Sequence, residues 1–341
     1  MMKLDKAAKN ILKSVSVRGR EILARRFGIG GYKNKETLEV IGQDHKITRE
    51  RVRQIEAAAL NRLRHNCQNE IAEISLYLNE ELNRKGGLAS EDEFLTAAAS
   101  NYGGINYFTF FLSLDDKLIR LSENDDFFSR WTNNRRLADK VETALTSLRK
   151  ELFLDNLLSE KEILAKFVRH LEEIPEKDFF NGFPRGLLFS FLAVSKKIRR
   201  NYLGEWGLLE SPQISPSGMR DMAHMVLRKN GEPTHFKKIA ADIELLLKRP
   251  VHIQTVHNEL IKDGRFILVG RGLYGLNSMG YQSGVVSDVI KQTLKERGPL
   301  AKEEIIKEVL KQRRVKESTI AINLQNKEFF KKTAQGHYIL A

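Results

Sequence analysis

The chain has 341 residues, 41% hydrophobic and 30% charged, as expected of a soluble globular protein with two or more packed domains. Its longest apolar run, Gly186 to Val194, is too short for a membrane span of roughly 20 residues, and the charged start MMKLDKAAKNILK holds no apolar signal core. The single cysteine, Cys67, excludes an internal disulfide and a cysteine-rich zinc site, so a reducing cytoplasm is the expected location.

The net charge of +13 is unevenly spread. Residues 1–66 carry 16 Lys/Arg against 7 Asp/Glu, residues 67–210 carry 19 against 24, and residues 211–341 carry 22 against 13. Basic ends suit phosphate backbones, whereas the acidic middle reads as a spacer or a protein-binding surface.

In chain order, residues 2–16 read as a helix with Leu4, Ala8, Ile11 and Val15 on one side. A second helix spans about Arg18 to Arg26 and ends at Phe27-Gly28-Ile29-Gly30-Gly31, where glycines are free to take positive φ. ETLEVIGQDHKI, Glu36 to Ile47, supplies a short support helix and a tight turn. Thr48 to His65, TRERVRQIEAAALNRLRH, reads as one helix with two opposed faces. Val52, Ile55, Ala59 and Leu63 form its apolar stripe. Arg49, Glu50, Arg53 and Gln54 fall opposite, within about 140° of arc at 3.6 residues per turn. Thr48 is placed to cap the helix, although Arg51 stands where a capping-box acid belongs.

That exposed face carries base-reading chemistry. Arg forks onto guanine, Gln onto adenine, and Glu accepts from cytosine. Support helix, turn and reading helix follow in the order of a helix-turn-helix. A solvated charged face on an ordinary amphipathic helix is the bland alternative. Residues 18–65, with TRERVRQIE at their centre, resemble region 4 of bacterial primary sigma factors. That resemblance implies reading of a −35 promoter element and contact with the RNA polymerase flap. By position it implies that Arg49, Glu50, Arg53 and Gln54 are base contacts. Thr37 and Thr48 are also expected at the DNA.

Residues 67–133 are expected to form a winged helix: helices over Asn69–Arg84, Ser90–Ser100 and Ile105–Leu114, then a hairpin from KLIRL (117–121) to DDFFSRW. Residues 134–210 repeat that outline, with helices over Leu137–Leu152, Ser159–Leu171 and Arg185–Val194 and a hairpin from KKIRRN to EWGLL. SPQISPSG, Ser211 to Gly218, reads as a linker.

Residues 218–280 give the clearest winged-helix pattern, with helices over Met219–Lys229, Phe236–Leu247 and Ile253–Lys262 and a hairpin over Arg265–Leu276. THFKKIAADI and FILVGRGLYGL resemble the HARE-type helix-turn-helix domain, a family that includes the delta subunit of bacterial RNA polymerase, restriction-associated proteins and chromatin factors. The resemblance implies association with nucleic acid or polymerase. Residues 283–341 repeat the unit: a shift of 64 places Val256 on Ile320, Leu260 on Leu324, Phe266 on Phe330 and Tyr274 on Tyr338. Arg265 and Arg271 flank the first of these wings and Lys331 and Lys332 the second, where phosphate contact is common. His252, Gln254, His257 and Asn258 either reach a groove or form a solvated face. Tyr274 and Tyr338 read as wing anchors.

Nothing points to catalysis. Carboxylate pairs such as Glu80-Glu81 and Asp125-Asp126 are adjacent and diverge on a helix. There is no HExxH frame and no phosphate-cradling loop ending in Lys-Ser/Thr, and Gly28 to Gly31 lacks the strand of a dinucleotide site. The expectation is a mainly α protein of tandem helix-turn-helix and winged-helix modules with small β-hairpin wings. No enzymatic activity, cofactor, metal or membrane contact is expected. The expected partners are promoter double-stranded DNA and core RNA polymerase, in the cytoplasm and at the nucleoid. The alternative is a polymerase-bound adaptor similar to the delta subunit, without base reading. A role beside a restriction or repair system rests only on the breadth of the HARE family.

Overall fold

Helix-forming periodicity dominates the sequence, and a computed structural model of the protein is mainly α with short antiparallel strand pairs. It describes residues 4–102, 104–172, 184–281 and 283–341, without the side chains of 98–102 and 185; positions 2 and 3 of the expected first helix lie outside them. The chain divides into two units, Met1–Arg200 with Glu205–Glu210, and Asn201–Gly204 with Ser211–Ala341.

In the first unit, α1 (Leu4–Ile11) runs into a single 3-10 turn, Leu12–Ser14, instead of continuing to residue 16. Ser16 caps α2 (Val17–Phe27), accepting from Gly19 N, and Gly28 at φ +65° closes it in the left-handed conformation. After α3 (Leu38–Asp44) and α4 (Arg49–Asn66) come α5 (Gln68–Arg84), α6 (Glu91–Tyr102) and α7 (Ile105–Leu114). A three-stranded sheet joins them, with β3 (Arg130–Thr132) between β1 (Leu88–Ser90) and β2 (Ile119–Leu121). The strand β1 is absent from the sequence-based outline. It exists because Leu88, Ala89 and Ser90 pair with Thr132, Trp131 and Arg130.

One core runs through all of this. Leu4, Ile11, Leu23 and Leu63 pack in the same cluster as Ile74, Leu78, Phe94, Phe108, Phe110, Phe111 and Trp131. Residues on either side of position 66 therefore share an interior. The helix α7 is the wedge: Phe108, Phe110, Phe111, Leu112 and Leu114 are all buried, and Phe110 meets Phe27 of α2 edge to face at 5.3 Å. A second cluster holds α8 (Arg135–Glu151), α9 (Glu160–Glu172), α10 (Arg185–Leu192) and the hairpin of β4 (Ile198–Arg200) with β5 (Trp206–Leu208). Phe191 and Leu192 of α10 are fully buried there.

In the second unit, residues 211–218 are a packed turn, not a slack linker: Ser211 and Ile214 are buried, and Ser211 O accepts from Ile214 N and Ser215 N. Next come α11 (Met219–Asn230), β6 (Thr234–His235), α12 (Phe236–Leu247), α13 (Ile253–Lys262), β7 (Phe266–Gly270) and β8 (Leu273–Leu276), with β8 central in the sheet. The last segment comprises α14 (Val286–Arg297), α15 (Lys302–Gln312), α16 (Glu317–Leu324), β9 (Phe330–Lys332) and β10 (Tyr338–Leu340). The internal repeat is visible in burial. Val256 and Ile320 are fully buried, as are Ile239 and Ile305, and Phe266 and Phe330 sit at 6% and 2% exposure. The two halves adjoin through Arg314 N, which donates to Val269 O at 2.7 Å, and the Tyr281 ring of the connection packs against Gly275, where a Cβ would lie 2.8 Å from it.

Candidate nucleic-acid interface

Each of α2, α3 and α4 contributes one fully buried apolar side chain, Ile22, Ile41 and Val52, to a small core of their own. Leu38, Ile47 and Ile55 pack around it. The turn from α3 to α4 demands two unusual backbones. Gly42 is buried, and a Cβ there would lie 2.9 Å from Ile47 O, because Ile47 N donates back to Gly42 O at 2.9 Å. Lys46 adopts φ +52°, in the left-handed region.

Both threonines expected at the DNA act as helix caps, which leaves their hydroxyls already accepting bonds. Thr37 Oγ1 accepts from Val40 N at 3.3 Å and Thr48 Oγ1 from Arg51 N at 3.1 Å. Both residues are exposed.

Beneath the turn lies a group that sequence reasoning misses. Arg25 is only 9% exposed. Its guanidinium donates to Glu36 Oε2 through Nε at 2.8 Å and also bonds Asp44. These bonds to Glu36 and Asp44 raise its pKa. One cation thereby ties the end of α2 to Glu36, two residues ahead of α3, and to the last residue of α3. Its partners lie 11 and 19 positions away, so no local pattern reveals them.

Arg49, Glu50, Arg53 and Gln54 are all exposed on α4, while Val52, Ala59 and Leu63 are buried. The four exposed side chains are not equivalent. Arg53 grips Glu50 in a two-pronged pair, Nε to Oε2 at 2.8 Å and Nη2 to Oε1 at 2.7 Å. That bond holds the Glu50 carboxyl below the usual carboxylate range and raises the Arg53 pKa. Gln54 Oε1 accepts from Arg51 Nη1 at 3.0 Å, and Arg49 makes no hydrogen bond or ion pair among the described residues. Arg51, in sequence only the residue that replaces a capping acid, is exposed and lines a cleft of about 210 Å³ with Gln54, Arg62, Ser16 and Gly19. Arg49 is thus ready to donate, and Glu50, Arg53 and Gln54 must exchange internal partners before meeting another molecule.

The other expected contacts divide. Arg265 is half-buried and engaged inside the protein, with Nη2 at 2.6 Å from Asp263 Oδ2 and 3.0 Å from Asp221 Oδ1. Its charge is already neutralised, so a bound phosphate would have to displace an internal carboxylate. Arg271 is exposed at the β7–β8 turn beside Gly272 at φ +69°. Lys331 and Lys332 are exposed on β9, with Lys332 Nζ 5.9 Å from the centre of the Tyr338 ring. Tyr274 is buried and Tyr338 half-buried. His257 is drawn into an aromatic stack, its ring 4.2 Å from that of Phe236. Among the described residues, no group of three His, Cys, Asp or Glu side chains is placed to hold a metal ion, and no helix is long and apolar enough to cross a membrane.

Residues 11–65 match the family Sigma-70, region 4. The RNA polymerase sigma factor SigA of Microcystis aeruginosa is 50% identical over 62 residues, which is 18% of this chain and 15% of that protein. SigA1 of Synechococcus elongatus is 45% identical over 75 residues, covering 20% and 18%, and RpoD of Neisseria gonorrhoeae 43% over 67 residues, covering 20% and 10%. The chain therefore spans less than a fifth of the length of these relatives. The likeness belongs to the trihelical segment and its flanks.

Proposed function

We propose that this protein is a DNA-binding transcription factor acting at initiation, and that α4 reads a −35-like promoter element. One observation carries the reading: Arg49, Glu50, Arg53 and Gln54 stand exposed on one face of a capped helix, inside the segment that matches sigma-70 region 4. Arg49 and Arg53 would fork onto guanine and Gln54 onto adenine. Thr37 and Thr48 would hold the helix at its working angle. Core RNA polymerase is the protein partner on this reading, the action is regulatory and not enzymatic, and the place is the cytoplasm at the nucleoid. The modules 1–66, 67–133, 134–210, 218–280 and 283–341 would work as an array, with the HARE-like pair supporting contact to neighbouring DNA or polymerase.

Selecting bound duplexes from a random pool, with and without core polymerase, tests the reading. Arg49→Ala or Gln54→Ala should cost about 1–3 kcal/mol on the selected site and little on random DNA. Equal loss on both would reduce these residues to phosphate contacts.

A second reading, a polymerase-bound adaptor without base reading, draws on the pairing of Glu50 with Arg53 and of Arg51 with Gln54, which occupies reading groups within the helix. Under it, retention of core polymerase survives both substitutions and no sequence is enriched.

A further inference from the structure

Counting α2 to α4 as the trio of the first module, the described residues offer a duplex five third helices, one per module, and the structure treats them differently. In the second and third modules, α7 and α10 are spent on packing: Phe108, Phe110 and Phe111 of the one and Phe191 and Leu192 of the other are buried. In the last module, the turn before α16 is engaged. Arg313 is buried, Arg314 N donates to Val269 O at 2.7 Å, and Arg314 Nη2 lies 3.3 Å from Glu232 Oε2. Two third helices remain, α4 and α13.

These two share a backbone signature. The only described residues other than glycine with positive φ are Lys46 at +52° and Lys248 at +53°. Each is a lysine in the turn between a second and a third helix, and each is exposed. A left-handed lysine is costly relative to glycine, so its recurrence at equivalent turns marks the same geometry built twice.

The α13 side adds suitable chemistry. Gln254 and Asn258 are exposed one turn apart, with Gln254 Nε2 donating to Asn258 Oδ1 at 3.1 Å. Lys248 and Arg249 precede the helix and Arg271 tops the wing; all three are exposed, and none makes an ion pair among the described residues. The helix itself is held from behind by Val256 and Leu260, both buried.

We propose that α13 with the β7–β8 turn is a second duplex-DNA site, in which Lys248, Arg249 and Arg271 meet phosphates and the Gln254–Asn258 amides face the groove. The protein then grips DNA through two modules, and the two middle modules and the last one serve other ends. The proposal rests on the DNA-binding reading above and chooses DNA over a protein partner for this surface. Three exposed cations around an amide-bearing helix match a phosphate-lined groove.

The test uses the full chain and a random-sequence duplex titrated across salt concentrations. Lys248→Gly with Arg249→Ala and Arg271→Ala should lower the slope of log affinity against log salt by about 3, roughly one per lost phosphate contact. Removing equal charge from the last module with Lys302→Ala, Lys307→Ala and Lys327→Ala should change it by less than about 1. Calorimetric melting checks that both triple variants stay folded. An unchanged slope in the first variant overturns the proposal, as does an equal loss in both, which would mean net charge alone. Retention on core polymerase that disappears while the slope stays put would assign the surface to a protein instead. The α4 reading fails separately: Arg49→Ala would then leave the preferred sequence untouched while the triple variant still lowers the slope.

Discussion

Replacing Phe110 by Ala probes the wedge that joins the trihelical segment to the helices beyond position 66. The Phe110 ring is fully buried and touches Phe27 of α2 and Phe111 of its own helix, each at 5.3 Å. Truncation removes the transfer energy of an aromatic ring and leaves a hole that rigid helices fill poorly, a loss of about 3–5 kcal/mol. With a urea slope of about 1–3 kcal/mol per molar, the unfolding midpoint should fall by roughly 1–5 M. The protein's two tryptophans, Trp131 and Trp206, both lie in the first unit, so their fluorescence reports that unit alone. DNA affinity should fall in step with the folded fraction, although Phe110 is far in sequence from α4. A midpoint shift below about 0.3 M, or a fragment of residues 1–66 that melts as the whole unit does, would refute the shared-core argument.

Three further outcomes rest on named geometry. Gly42→Val pushes a branched side chain against Ile47 O, where even a Cβ would sit at 2.9 Å; a loss of about 1–3 kcal/mol by urea titration is expected, and a neutral result would remove the close-approach account of the turn. Lys46→Gly should stabilise the first unit by about 0.5–1 kcal/mol by relieving the left-handed backbone, and a destabilised variant would show that the lysine contributes something the strain argument omits. The Glu151 carboxyl is lowered to about 2 by Lys166, with His170 and Arg169 adding to it. A depressed carboxylate contributes stability that is complete above about pH 5 and lost as pH falls towards 2; water reaches this group, so about 1–2 kcal/mol is the expected share. Glu151→Gln should flatten acid unfolding by that amount, and identical acid profiles would count against the cluster.

Where the sequence speaks clearly, it does so through periodicity and punctuation. The expected bounds of α7, α12 and α13 coincide with the observed ones, because Gly104, His235 and Pro250 stand just outside helices with regular apolar spacing. The cap at Thr48 is equally local. By contrast, β1 and β6 have three and two residues, too few to show alternation; their pairing partners, β3 and β8, lie about 40 positions away. Distance along the chain also hides the ion pairs that matter most at the candidate interface. Arg265 resembles a phosphate ligand from its place beside a wing, but Asp221, 44 residues upstream, engages it. The same holds for Arg25. The intrahelical grip of Arg53 on Glu50, three residues apart, is legible in principle, since such spacing places charges side by side.

The bond from Arg314 to Val269 has a bearing on solubility. Strand margins with idle carbonyls and amides invite pairing with other chains. β7 forms one border of its sheet, and Leu268 on it is 51% exposed. The segment leading into α16 lies along that border, as a selvedge keeps woven cloth from fraying. Cutting the chain before residue 313 would bare the border and leave a sticky seam through which identical fragments stitch together.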